Sequence, residues 1–302
     1  MAAKDPRWPN LFIPGGPKCG TTSLHRYLAQ HPDIFMSEPK EPHFFSFTWD
    51  EHEEDLEGLS EATEAYLALF EGGEANAIRG ESTPGYLHRP PVAARIHERV
   101  PDAKFVVLLR DPIERAHSDH AMLVRKGSED RTFLEAIQAE VALDDPTKGY
   151  HIQRSLYDAS LQRYLDRFTE DQVHVVLSED LKHDTLAVLE QIAAFLGIDP
   201  DPMAQVDYET LHNPGGSPRN ALAAWLLNDE RVHRAARALL PKPLRVYLGD
   251  HALISKDEKP PLEPEAVDLL VPIFEPSVTR LEEMLDRRLP ELRRTWSLAK
   301  GA

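Results

Sequence analysis

Cysteine is nearly missing from this chain. Its 302 residues include one, Cys19, so no intramolecular disulfide can form and a reducing compartment is compatible. Long apolar runs are missing too: none approaches the roughly 20 residues that a membrane-spanning helix needs. The opening Met1-Ala2-Ala3-Lys4-Asp5-Pro6 holds no apolar segment of the kind a secretory signal requires. With 28% charged residues, these absences predict a soluble globular protein. Positive charge is in deficit, with 34 Lys and Arg against 51 Asp and Glu and a formal net charge of −17. That balance argues against a general binder of nucleic acid or of anionic membranes. The 14 histidines show no paired-cysteine or His-Glu-x-x-His spacing, so no metal site is expected.

What the chain does have comes early. The apolar Phe12-Ile13 runs into Pro14-Gly15-Gly16-Pro17-Lys18-Cys19-Gly20, and a helix is predicted to open at Thr21-Thr22-Ser23. Amides at a helix N-terminus point outward unsatisfied, and the helix dipole adds partial positive charge, so such a turn cradles an anion. Gly15, four residues, Gly20 and the hydroxyl of Thr22 nearly spell a Walker A loop, but Thr21 stands where its lysine belongs and Lys18 lies inside the loop. A phosphate-type anion is expected there without the usual nucleotide–Mg²⁺ arrangement. Cys19, beside Lys18 and the helix start, has a setting that can lower a thiol pKa. The simpler expectation is a small loop filler.

The same spacing resembles the 5′-phosphosulfate loop of sulfotransferases that use 3′-phosphoadenosine-5′-phosphosulfate (PAPS). About ninety residues on, Phe105-Val106-Val107-Leu108-Leu109 ends in Arg110-Asp111-Pro112-Ile113-Glu114-Arg115-Ala116-His117-Ser118, which resembles that family's 3′-phosphate signature. Arg110 at a strand end offers a planar fork for a phosphate monoester, Ser118 a further hydroxyl, and Pro112 suits the first helical position. The resemblance implies that Pro17, Lys18, Cys19, Gly20, Thr21, Thr22 and Ser23 hold the 5′ end of PAPS (or its product PAP), and Arg110 and Ser118 the 3′-phosphate.

Two further segments are similar to heparan-type members of the family. Lys40-Glu41-Pro42-His43-Phe44-Phe45 matches a Lys-Glu-x-His-Phe-Phe segment, which implies Glu41 as the base that takes the acceptor's proton, with His43 orienting it or replacing it. A partner for Lys40 is the plainer role for Glu41. Glu81-Ser82-Thr83-Pro84-Gly85-Tyr86 matches a second segment, but Ser82 stands where many of these enzymes place a lysine; Arg79 is one candidate to compensate. His212-Asn213-Pro214-Gly215-Gly216-Ser217-Pro218-Arg219 falls where relatives have a late loop over the adenosine, implying Gly216 and Arg219 as cofactor contacts. Lys18 is the implied catalytic cation on the bridging oxygen. His117 and His120 read as scaffold.

Along the chain, strands are expected near 11–14, 77–81, 104–109 and 173–177, and helices near 21–30, 91–99, 113–125, 133–141, 157–168 and 185–196. Strands alternating with helices imply a parallel sheet with right-handed crossovers, so the fold class is α/β, a P-loop-NTPase-like parallel sheet flanked by helices. One domain is expected over residues 1–302, with the PAPS-binding core at about 8–220. A helical C-terminal lobe follows, with helices near 220–239 and 263–289. The acid-rich 50–64 reads as a solvated face, and 44–58 and 126–154 as acceptor-lining loops. The resemblance implies a cytoplasmic or bacterial-type member of that family, and an activity of sulfuryl transfer from PAPS to a hydroxyl or amine of a carbohydrate or small molecule. The rivals are a P-loop small-molecule kinase and a non-catalytic PAP-binding protein of the same fold.

Overall fold

The fold is that of a computed structural model in which residues 5–51, 55–73, 75–208, 217–218, 254–255 and 260–299 are described. Five strands, β1 (Leu11–Ile13), β2 (Ile34–Met36), β3 (Ile78–Ser82), β4 (Lys104–Leu109) and β5 (Val173–Leu177), form one parallel sheet in the order β2-β3-β1-β4-β5. A second, two-stranded antiparallel pairing joins Ser217–Pro218 to Ile254–Ser255. Among the described residues the longer helices are α1 (Thr21–Leu28), α2 (Leu56–Leu67), α3 (Val92–Arg99), α4 (Pro112–Arg125), α5 (Phe133–Val141), α6 (Tyr157–Leu165), α7 (Ser178–His183), α8 (Thr185–Leu196) and α9 (Pro264–Met284), with shorter helical turns between.

Strand alternation sorts the core into two layers. Leu11, Ile13, Val106 and Leu108 face α1 and α8, where Leu24, Leu28, Leu189 and Ile192 meet them. Phe12, Phe105, Val107 and Leu109 face the opposite layer of Ile96, Leu161, Tyr164 and Phe274. A sheet covered on both faces needs continuous apolar strands, which is why Phe105 to Leu109 shows no polar alternation. Helix α9 sends Val267, Leu270, Phe274 and Leu281 into this same second layer, lying against α5 and α6.

Several elements differ from the sequence expectation. Strand β2 has three residues, too few for a periodic signal. Helix α2 lies inside the acid-rich stretch, capped by Asp55, which accepts from the Gly58 amide at 3.0 Å. It buries Leu59, Tyr66 and Leu67, so the acids mark its outer face. Asp50 is not simply solvated: it pairs with Arg89 at 2.9 Å and with Arg95 at 2.7 Å. Phe44 and Phe45, expected in an acceptor loop, sit in the core against Trp8, Trp49 and Tyr66. The helix expected near 220–239 lies outside the described residues.

The order β2-β3-β1-β4-β5 fixes where a ligand can sit. The chain leaves β1 toward β2 and leaves β4 toward β5, so the two connections diverge and open a crevice above the carboxyl ends of β1 and β4. Residues 14–20 and Arg110 both lie at that edge.

Candidate active site

The loop after β1 is packed from beneath. A Cβ on Gly15 would stand 2.7 Å from both the Pro84 carbonyl oxygen and the Leu87 Cβ, so only glycine fits. Cys19 is fully buried, its thiol 3.9 Å from the Tyr157 hydroxyl, and burial pushes that thiol up to about 11. The lowered pKa that its position beside Lys18 implied is reversed, because desolvation outweighs Arg115 and Arg110. Its amide donates to the Gly16 carbonyl at 3.2 Å, and Pro17 has no amide hydrogen. Among the described residues, the loop and helix-start amides left for a ligand include those of Lys18, Gly20, Thr21, Thr22 and Ser23. Gly20 takes the left-handed conformation (φ 97°) as the N-cap of α1, and no side chain caps that helix. An uncapped helix start between two strand ends is suited to an anion.

Lys18 also has positive φ, 68°. Its ammonium lies 3.6 Å from the Met122 sulfur. Burial lowers its pKa, and Arg125, Lys126 and Arg110 add to the shift, while Asp119 opposes it. Cations gathered at one end of the sheet suit a polyanion even in a chain of net charge −17, because local charge decides binding.

Arg110 leaves the end of β4 and reaches back to this loop, donating from Nη1 to the Lys18 carbonyl at 3.3 Å. Its Nε donates to Glu114 at 3.0 Å; among the described residues nothing accepts from Nη2. Asp111 caps α4, accepting from the Ile113 and Glu114 amides at 2.9 and 3.1 Å, and Pro112 follows in the first turn. Ser118 lies on α4 about two turns beyond Arg110, largely buried. His117 and His120 are buried on the same helix against Phe133.

Glu41 and His43 come from the segment after β2. Both have positive φ, 63° and 59°, and they share that distinction with Lys18. Three of the candidate catalytic residues thus hold a backbone conformation that side chains disfavour, as functional positions often do. Two bonds strap the segment across the end of β3: the Glu41 amide donates to the Ser82 carbonyl at 3.1 Å, and the Phe45 amide to the Tyr86 hydroxyl at 3.0 Å. The Glu41 carboxylate is half-exposed, in contact with the Lys40 ammonium and 3.8 Å from His43 Nε2. His43 Nδ1 is buried without a hydrogen-bond partner among the described residues.

Ser82 carries no cation. Its hydroxyl shares a hydrogen bond with His25 Nδ1 at 3.0 Å, and burial, with Lys40 and Arg26, pulls that imidazole down to about 4, so the pair is neutral near pH 7. Arg79 does not compensate. Its guanidinium donates to the Asn76 and Trp8 carbonyls, at the amino end of β3 and away from Ser82. Gly216 and Arg219 lie outside the described residues.

Sequence reasoning quoted Glu81 within a matched segment but gave it no role. It is fully buried and accepts from Tyr66 at 2.7 Å and Thr83 at 2.6 Å. Burial raises its pKa from the ordinary 4.5 to about 7, more than the hydrogen bonds and the Lys40 charge lower it. The folded state therefore holds this proton more tightly than the unfolded chain does. The resulting stability is full below about pH 4.5 and declines as pH rises through the folded value. Glu81→Gln keeps the shape without the titration. In urea unfolding, wild type is expected to lose roughly 2–3 kcal/mol more than the variant between pH 5 and pH 8. Identical pH dependence would contradict this account.

Comparison with known proteins agrees with this architecture. A profile described as the sulfotransferase family matches residues 9–202. Human heparan sulfate glucosamine 3-O-sulfotransferase 3B1 is 31% identical over 192 residues, covering 63% of this chain and 46% of that protein. The membrane-associated sulfotransferase kil1 of Dictyostelium discoideum is 35% identical over 112 residues, 37% of this chain and 22% of that one. The chain thus spans about half the length, or less, of these curated relatives. The crystal structure of a sulfotransferase from Alicyclobacillus acidocaldarius superposes with a TM-score of 0.66 at 30% identity, covering 95% of this chain and 99% of that one. With the profile spanning more than half of its residues and both sequence signatures at the mouth of one parallel sheet, this chain belongs to the sulfotransferase family.

Proposed function

We propose that the chain transfers a sulfuryl group from PAPS to a hydroxyl or amine of a carbohydrate or small-molecule acceptor. One observation carries the reading: the Arg110 guanidinium is within 3.3 Å of the Lys18 carbonyl, so the two anion grips meet in one crevice and a single nucleotide can engage both. PAPS supplies the sulfuryl group and a leaving phosphate oxygen. The amides of Gly20 to Ser23 bind its 5′ end, while Arg110 Nη2 and the Ser118 hydroxyl serve the 3′-phosphate. Lys18 stabilises negative charge on the departing oxygen, the kind of preorganised electrostatic assistance that is usually the largest single contribution to such a step. Glu41 accepts the acceptor's proton, and His43 orients Glu41 or the acceptor.

The acceptor reading rests on the similarity to proteins named for glucosamine sulfation and on the strapped Glu41–His43 segment. The neutral Ser82–His25 pair favours a less highly charged acceptor than a lysine at that position would. Titration calorimetry with PAP and with ATP–Mg²⁺ tests the donor. PAP is expected to bind more tightly, and equal or tighter binding of ATP–Mg²⁺ would favour a kinase and overturn the proposal.

A further inference from the structure

We propose that Arg294, far away in the C-terminal segment, is the positioning residue that keeps Arg110 free for the 3′-phosphate, and so sets the preference for a 3′-phosphorylated nucleotide. This rests on the donor reading above and deepens it.

The cleft at the ends of β4 and β5 is acidic: Asp111, Glu114, Glu179 and Glu291 line it, and among the described residues its lining cations are Arg110 and Arg294. Glu114 sits between the two arginines, its Oε2 accepting from Arg110 Nε at 3.0 Å and its Oε1 contacting Arg294 Nη2. Arg294 Nη1 also donates to Glu179 at 2.7 Å. The neighbouring Thr295 anchors the segment. Its amide and hydroxyl donate to Asp111 Oδ2 at 2.9 and 2.8 Å, opposite the oxygen that caps α4. Burial alone would raise the Glu114 pKa, but Arg294 and Arg110 together bring it below its ordinary value, so it is a carboxylate at neutral pH.

The consequence follows from charge. A phosphate dianion beside Arg110 needs net positive potential there, and a half-buried carboxylate bonded to the same guanidinium opposes it. Arg294 offsets that carboxylate while leaving Glu114 in place to aim the fork. Without Arg294, Glu114 would keep Arg110 as its remaining partner in this cleft, and its full negative charge would bear on the guanidinium proposed to hold the dianion. Glu179 alone would not be stranded, because Lys182 and His183 also pair with it, at 3.4 and 3.0 Å.

The test is calorimetry of the whole chain with PAP and with adenosine 5′-monophosphate, which lacks the 3′-phosphate. Arg294→Ala is expected to weaken PAP about tenfold, about 1.4 kcal/mol, and to leave the monophosphate within about twofold. Arg294→Lys should recover most of the loss. Glu114→Gln keeps an oxygen for Arg110 Nε but removes the charge, so Arg294→Ala in that background should cost little. The double variant also leaves no unpaired acid at Glu114 to endanger folding. Equal weakening of both nucleotides, an undiminished preference for PAP in Arg294→Ala, or a full loss in the Glu114→Gln background would each overturn the role of Arg294. A wild-type chain that does not prefer PAP over the monophosphate would instead overturn the donor reading beneath it.

Discussion

Lys18→Ala is expected to lower turnover with PAPS about a thousandfold while weakening PAP binding far less. The asymmetry follows from when the charge appears. The uncapped amides of Gly20 to Ser23 and the Arg110 fork meet charges that the nucleotide carries before and after reaction. The ammonium of Lys18 meets a charge that grows on the bridging oxygen as the bond to sulfur breaks. Interactions that strengthen only in the transition state appear in kcat, and loss of one such donor typically costs about 10²- to 10³-fold. The measurement is labelled-sulfate transfer from PAPS to whichever of a set of heparan oligosaccharides and small alcohols the wild type accepts. A fall confined to KM would assign Lys18 to binding alone.

The same residue sets a pH limit. Burial, with Arg125, Lys126 and Arg110, lowers the Lys18 pKa below its ordinary 10.5. The competent form is the cation, so kcat/KM should be full below the lowered pKa and fall as pH rises through it, earlier than an exposed lysine would titrate. Bound PAPS adds negative charge and should move that limb of kcat back toward alkaline pH.

Glu41→Gln is expected to reduce kcat about 10²- to 10⁴-fold, the range for loss of a general base, with PAP affinity unchanged. Glutamine preserves the backbone hydrogen bond from residue 41 to the Ser82 carbonyl and the shape of the segment, so the loss would report proton transfer and not folding. His43→Ala should cost less, since His43 lies 3.8 Å from Glu41 and acts through it or on the acceptor. Undiminished turnover in Glu41→Gln would return Glu41 to the simple role of partner for Lys40.

The parts of this fold that could be read from sequence carry their own local signal. Lys104 to Leu109 and Val173 to Leu177 are apolar runs bounded by turn residues, and Thr185 to Leu196 lies between Asp184, which caps it, and Gly197 in the left-handed conformation. The phosphate loop and the Arg110 signature were legible for the same reason, since each is a short, contiguous pattern at the end of a strand. What escaped depends on the fold. Strand β2 exists because β3 pairs with it, and the acids of α2 masked its apolar stripe. The titration of Glu81 comes from burial among Tyr66, Thr83 and Tyr86, which its neighbours in sequence do not announce. Arg294 and Thr295 meet Glu114 and Asp111 across more than half the chain. No periodicity links such distant residues.

The account stands on one nucleotide bridging two grips, and a crystal structure of the chain with PAP addresses that most directly. The predicted result has the 5′-phosphate on the amides of Gly20 to Ser23 with Lys18 beside it, and the 3′-phosphate on Arg110 and Ser118. A PAP molecule bound with its 3′-phosphate away from Arg110, or with the loop after β1 empty, would contradict it.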